Sequence, residues 1–378
     1  MKRKVIKWGC LFTAGILFLL FLVFFNRVEK TELLETEGRN FVKAEVVAVT
    51  KDNVTESGNL VGNQEVVLKI LSGTHKGEEV EAVSSSGYLF GAHCTEGMKV
   101  IALVSESQGE LAVSVYSADR GFAVYAMIGI FVLCILVIGG KKGVASVGGL
   151  AFTMICIFFL FLPMIYRGYS PILSAVLVVI LTTGVTMCMI DGLTRKSAAA
   201  MAGTVLGVIV AGIFAWVFGK VTQITGYNVS DIEELIYVEQ KTDIRIGELL
   251  FSGILIAALG AVMDVGMSIA STLSEIQQKK PTLTGRELFA SGMNVGRDMM
   301  GTMSNTLILA FAGGSLNTVV FIYAYHYQYM QIINMYSVGV ELMQGISASM
   351  GVVLTVPFTS AIGAWMLTRK KVRSFPAL

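Results

Sequence analysis

Charge is scarce in this chain. Asp, Glu, Lys and Arg make up 15% of its 378 residues, where a soluble domain carries roughly a quarter. That shortage excludes an ordinary water-soluble fold. The three histidines, His75, His93 and His326, stand far apart, so the sequence holds no zinc-site spacing. Of five cysteines, Cys10, Cys134, Cys156 and Cys188 lie in apolar runs and only Cys94 in a polar one. A disulfide framework or CxxC pair is therefore excluded. Phosphate-binding loops, HExxH, GxSxG and serine-lysine patterns are missing as well. An intramembrane aspartyl protease needs a GxGD-like setting, which Met263-Asp264-Val265 lacks. The chain is read as a non-enzyme with no catalytic residue, no metal site and no cofactor. With a net charge of +2 it shows no bias toward nucleic acid.

Long apolar runs are what the chain has in abundance. Uncharged stretches near twenty residues alternate with short charged loops, the signature of a polytopic helical membrane protein. Eight spans are predicted, near 7–25, 122–140, 144–164, 171–190, 198–219, 248–273, 299–323 and 344–367. The first follows a basic MKRKVIK, as a signal peptide would. Its apolar run is long and no small-x-small cleavage site follows, so an uncleaved anchor is expected.

Lysine and arginine set the orientation. One set of segments holds Lys2, Arg3, Lys4, Lys7, Lys141, Lys142, Arg195, Lys196, Lys279, Lys280, Arg286, Arg297, Arg369, Lys370, Lys371 and Arg373. The short loops of the other set hold only Arg167, Lys220, Lys241 and Arg245. Both termini are thus expected in the cytoplasm and residues 26–120 outside, in a multi-pass protein of the cell membrane.

Residues 26–40 read as a charged stalk. Beyond it the pattern switches to period two at 41–50, 65–72, 78–83, 99–105 and 111–116, separated by Gly-containing turns. Five short strands predict a small closed barrel of OB or SH3-like type at 41–120. Its few aromatics, Phe41, Tyr88, Phe90 and Tyr116, and its acidic character argue against nucleic acid. A structural or protein-docking module is the plainer expectation. Residues 121–373 form a seven-helix transmembrane domain.

Two soluble segments carry capping boxes, Ser230-x-x-Glu233 before a short amphipathic stretch and Thr284-x-x-Glu287 before the seventh span. Gly292 and Gly296 are spaced for close helix contact. Gly313-Gly314-Ser315 either breaks the seventh span or serves a packing interface.

One polar stripe interrupts the apolar text at 258–275. Asp264, Ser268, Ser271 and Glu275 follow i, i+4, i+7, i+11 spacing and share one helix face. A second stripe follows with Asp298, Thr302 and Asn305. A carboxylate at membrane depth costs at least about 2.5 kcal/mol on insertion scales, so it has to face protein or water. Asp264, Ser268, Ser271, Asp298, Thr302 and Asn305 are the candidate substrate- or ion-binding residues, with Arg297 as their charge partner. The two stripes are expected to face each other across a seam. Asp264 has the competing role of a structural ion-pair partner.

GAVMDVGMSIASTLSEI at 260–276, RELFASGMNVGRDMMGTMSNTLILAFAGGSL at 286–316, RGYSPILSAVLVVILTT at 167–183 and ILSGTHKGEEVEAV at 70–83 resemble the YibE/F family of bacterial multi-pass membrane proteins. The resemblance implies a plasma-membrane protein of a Gram-positive bacterium and carries no list of functional residues. It also implies a second membrane subunit of the same family as a partner, besides the lipid bilayer and a small solute or ion. A secondary transporter is the leading expectation. The rival is a membrane scaffold or envelope-stress protein whose outer barrel binds a protein.

Overall fold

The structure, a computed structural model, describes residues 15–28, 38–55, 59–85, 91–107, 110–229 and 231–368. The chain divides into two compact units. One is Glu32–Cys134 and the other combines Met1–Thr31 with Ile135–Leu378.

The first unit is a closed barrel of β1 (Arg39–Lys51), β2 (Gln64–Ile70), β3 (Glu79–Ser84), β4 (Lys99–Ser107) and β5 (Glu110–Ala118). The strands run in the order β1-β2-β3-β5-β4, and β4 closes on β1. Only β3 and β5 are parallel, paired at Val83–Ser114 and Ser84–Val115. Alternation places the side chains: along β2, Gln64, Val66, Leu68 and Ile70 are buried while Glu65 and Lys69 point out. Val46, Val100, Ala102 and Val115 from the other strands share this core.

Gln64 is a polar side chain buried in the barrel, as Ser84 on β3 also is. Its amide donates to the Cys94 carbonyl at 3.0 Å and accepts from the Cys94 N–H at 2.7 Å, stitching the segment before β4 to β2. Burial pushes the Cys94 thiol above its ordinary pKa, so it is held as an unreactive thiol.

At one end of the barrel, the loop joining β2 and β3 carries His75. Its Nδ1 lies 3.0 Å from Glu78 and its Nε2 2.7 Å from Glu106 on β4. A neutral imidazole has one N–H and can serve only one carboxylate. The arrangement is therefore that of the imidazolium, and the hydrogen bonds to Glu106 and then Glu78 raise its pKa above 6.5. A raised folded-state pKa means the contribution is fully present below 6.5 and disappears as pH rises through the raised value. A His75→Gln chain should be less stable than the natural one in mild acid, and the difference should close at alkaline pH. Paired thermal melts across that range check it.

The second unit is helical. It begins with α1 (Gly15–Asn26); the part of the first predicted span before Gly15 lies outside the described residues. α2 (Gly121–Cys156) carries the chain from the first unit into the second. A π-helical turn (Ile157–Phe161) leads into α3 (Leu162–Tyr166). Then come α4 (Pro171–Asp191), α5 (Arg195–Thr222), α6 (Ile232–Lys241), α7 (Leu249–Lys279), α8 (Gly285–Gly314), α9 (Leu316–Ala324), α10 (Tyr329–Ile333) and α11 (Tyr336–Thr368).

Among the described residues five helical stretches are long and apolar enough to cross a membrane. A sixth is added if α8 and α9, bent by 63° at their junction, count as one span. The first stretch, Gly121–Tyr166, is not straight. Gly140 has φ 53° and ψ −130°, a conformation that glycine adopts without strain. A Cβ on Gly143 would stand 2.3 Å from the Ile135 carbonyl oxygen. In a straight helix these two residues are about 12 Å apart along the axis, so the chain changes direction at Gly140.

Remote pieces of sequence hold α1 in the helical unit. Phe25 is buried in the main core, with Phe18 and Leu22 packed beside it. The Asn26 amide donates to the Phe159 carbonyl at 2.6 Å, inside the π-helical turn. The Arg167 guanidinium donates to the carbonyls of Phe24 and Arg27 at 2.6 and 2.8 Å and stacks on the rings of Phe24 and Phe25. A cation at a helix C-terminus meets the negative end of the helix dipole and satisfies orphan carbonyls.

Hydroxyls set on glycines hold the centre of the bundle. A Cβ on Gly203 would fall 1.9 Å from Thr359 Oγ1, on Gly207 1.8 Å from Thr355 Oγ1, on Gly266 2.8 Å from Thr204 Oγ1, and on Gly292 2.6 Å from Ser360 Oγ. These four contacts join α5 to α11, α5 to α7, and α8 to α11. In lipid, association rests on such close approach of backbones, because apolar side chains gain little by leaving the lipid tails. On one side of the bundle the α4–α5 turn is made by Gly192 at φ 72°, by Thr194 capping α5, and by an Asp191–Lys196 ion pair at 2.7 Å.

The capping box at Thr284 and Glu287 forms as expected and starts α8. Gly292 and Gly296 do pack closely, the second against Val356. The other box rests on Ser230, which lies outside the described residues; α6 begins at Ile232, after Asp231 at φ 58°. At Gly313 and Gly314 a Cβ would meet nothing within 4 Å. Of their two expected roles, the break is the one found.

Candidate functional site

α7 positions the first polar stripe. Between Glu248 and Glu275 its only charged residue is Asp264. Val262, Val265, Gly266, Ile269 and Leu273 make the buried face. Leu273 fills the notches beside Gly292 of α8 and Gly363 of α11. Asp264 precedes Leu273 by nine residues, two and a half turns at 100° per residue, and so points the opposite way. It is exposed, with Ser268 and Ser271 half-buried along the same side. Glu275, one turn beyond Ser271, pairs locally with Lys279 at 2.8 Å.

α8 positions the second stripe. Its buried residues are Leu288, Gly292 and Gly296. Asp298, Thr302 and Asn305 lie off that axis and are exposed, as are Asn294, Arg297 and Gly301. Among the described residues the Thr302 hydroxyl donates only to carbonyls of its own helix, Met299 at 3.0 Å and Asp298 at 3.4 Å. Arg297 reaches Asn294 Oδ1 at 3.4 Å.

The structure therefore does not bring the two stripes together. No hydrogen bond or ion pair joins them among the described residues, and Arg297 does not pair with Asp264. The expected seam fails for a steric reason. Each helix turns its small and apolar residues, Gly266 and Leu273 on one and Gly292 and Gly296 on the other, toward its neighbours, because close backbone approach is possible only there. The polar residues are left on the far sides.

Periodicity within one segment misses partners from distant ones. Arg167 reads in the sequence as an outer-loop charge and turns out to cap α1. Thr204, Thr359 and Ser360 are fully buried hydroxyls without a hydrogen-bond partner among the described residues. The signal that could have found them is the glycine spacing at 203 and 207, which demands small partners opposite. No group of three His, Cys, Asp or Glu suited to a metal ion occurs among the described residues.

The sequence model of the YibE/F-like protein family matches residues 127–369, well over half of the chain. The chain belongs to the YibE/F-like family. Membership rests on the helical part, since the match begins beyond the barrel and includes both polar stripes. No curated protein and no solved structure matches the chain.

Proposed function

We propose that this YibE/F-like protein is a secondary transporter, permease-like, of the cell membrane. In this reading it crosses the bilayer eight times, with both termini in the cytoplasm and residues 26–120 outside. The lysine and arginine asymmetry supports the orientation. The change of direction at Gly140, beside Lys141 and Lys142, supports dividing the 46-residue stretch between two crossings.

One observation carries the transport reading. Asp264 is a lone carboxylate within a long apolar helix, without an ion pair or hydrogen bond among the described residues, and with Ser268 and Ser271 in line behind it. By contrast Asp191, at the end of α4, has Lys196 at 2.7 Å. A carboxylate left unpaired at membrane depth is suited to binding and releasing a small cation or a proton. Purified protein in proteoliposomes tests this with two probes, radioactive sodium uptake and proton entry read by an internal pH dye. The natural chain should pass one of them, Asp264→Asn should remove at least about nine-tenths of that flux, and Asp264→Glu should retain part of it. Equal flux in the Asn variant, or none in the natural chain, overturns the reading.

A second reading, a scaffold whose barrel binds a protein, is favoured by Phe41 and Tyr116. These side chains are exposed at 61% and 49% on the barrel's outer wall and pair edge to face at 5.0 Å. Exposed aromatic pairs of this kind are common anchors of protein interfaces. Under that reading, deletion of residues 41–118 reproduces the cellular phenotype of the null strain, whereas Asp264→Asn is silent.

A further inference from the structure

The α8 stripe calls for a different occupant. From the mouth of the span inward, Asn294, Arg297, Asp298, Gly301, Thr302 and Asn305 are all exposed on the side of the helix away from Gly292 and Gly296. Taking 100° per residue, Asn294, Gly301 and Asn305 run down the middle of this face. Arg297 lies on one flank and Asp298 on the other, one residue apart in height. Among the described residues Arg297 has Asn294 as its side-chain partner, at 3.4 Å, and Asp298 has no ion pair. A Cβ on Gly301 would meet nothing within 4 Å.

Such a face is poorly matched to lipid, because the bilayer offers no partner to an amide, a carboxylate or a guanidinium. It is well matched to itself. Two copies inserted in the same orientation are related by a two-fold axis along the membrane normal, so equal heights meet. Asn305 then faces Asn305, and an amide is both donor and acceptor. Gly301 faces Gly301, which lets the helices approach. The flanks bring Arg297 of each copy to Asp298 of the other, as flanking charges do in parallel helix pairs.

We propose that this face of α8 is the contact between two copies of the chain, a parallel two-fold pair centred on Gly301 with reciprocal Arg297–Asp298 ion pairs. The inference does not depend on the transport reading, which rests on a different helix.

The test is the oligomeric state of the full-length protein in lipid nanodiscs, read by native mass spectrometry and single-molecule photobleaching. The natural chain should be dimeric. Arg297→Asp, which sets like charges against each other, should weaken association about ten-fold or more, as should Asn305→Leu. The double exchange Arg297→Asp with Asp298→Arg should restore the dimer, because the flank charges remain complementary. Thermal melts of the monomeric variants should match those of dilute natural protein, since these side chains are exposed in the single chain. A monomeric natural chain, or a dimer indifferent to Arg297→Asp, overturns the proposal. Loss of sodium or proton flux in Asp264→Asn with the dimer intact separates the two hypotheses.

Discussion

A Gly207→Val chain is expected not to accumulate as folded protein. The added Cβ would sit 1.8 Å from Thr355 Oγ1, 2.8 Å from Val262 Cγ1 and 3.0 Å from the Gly351 carbonyl. Three helices, α5, α7 and α11, meet at this point. A side-chain rotation can move the first contact away, but the third is backbone and yields only if a helix shifts. Overpacking a well-filled core costs about 1–3 kcal/mol when neighbours can give. Here relief would also open the neighbouring contact of Thr359 on Gly203, so the loss should exceed that range and approach the whole stability of a domain. The matched control is Gly260→Ala on α7, where a Cβ meets nothing within 4 Å. Fluorescence-detected size-exclusion chromatography in detergent should give a sharp peak for the control and an aggregate for Gly207→Val. A sharp peak for both would show that the α5–α11 contact is not the centre of the bundle.

Arg167→Ala is expected to free α1 from the rest of the helical unit. Its guanidinium serves two carbonyls at the end of α1 and covers two aromatic rings. A hydrogen bond to a charged group contributes about 1.5–3 kcal/mol, and cation–π contact adds about 0.5–1 kcal/mol at a partly exposed site. Without the guanidinium the carbonyls of Phe24 and Arg27 lose the donor that ties them to the α3–α4 junction, and the contacts of Phe18, Leu22 and Phe25 with the core are left to hold the helix. A protease site engineered into the stalk after α1, within residues 29–37, offers the measurement: after cleavage there, α1 should co-purify with the rest of the natural chain and dissociate from that of Arg167→Ala. Arg167→Lys should fall between, since an ammonium can reach one carbonyl but cannot serve both while stacked. Co-purification of α1 with the Ala variant would show that packing by Phe18, Leu22 and Phe25 suffices.

The two expectations separate what a local pattern can and cannot reveal. Period-two alternation located all five strands to within two residues, because each strand has one wet face and one dry face and the period records it. The capping box at Thr284 was legible because donor and acceptor sit three residues apart. Helix identity was equally plain, since apolar runs of that length have no other use in a chain so short of charge.

The candidate site was legible only in part. The residues Asp264, Ser268 and Ser271, and likewise Asp298, Thr302 and Asn305, do share faces as their spacing requires, because spacing along a helix determines direction around it. Where those faces look is another matter. It depends on which helix stands beside which, and that is settled by where two backbones can come closest. Gly203, Gly207, Gly266 and Gly292 decide it here, each accepting a hydroxyl from a helix far away in sequence. A membrane protein with a β-barrel, its helices, its strands and the membership of each polar stripe all follow from the order of residues along the chain. Only the tertiary structure decided that α1 is tied in by Arg167 and that the two stripes look outward and apart, because contacts between distant segments follow shape complementarity that no periodicity records.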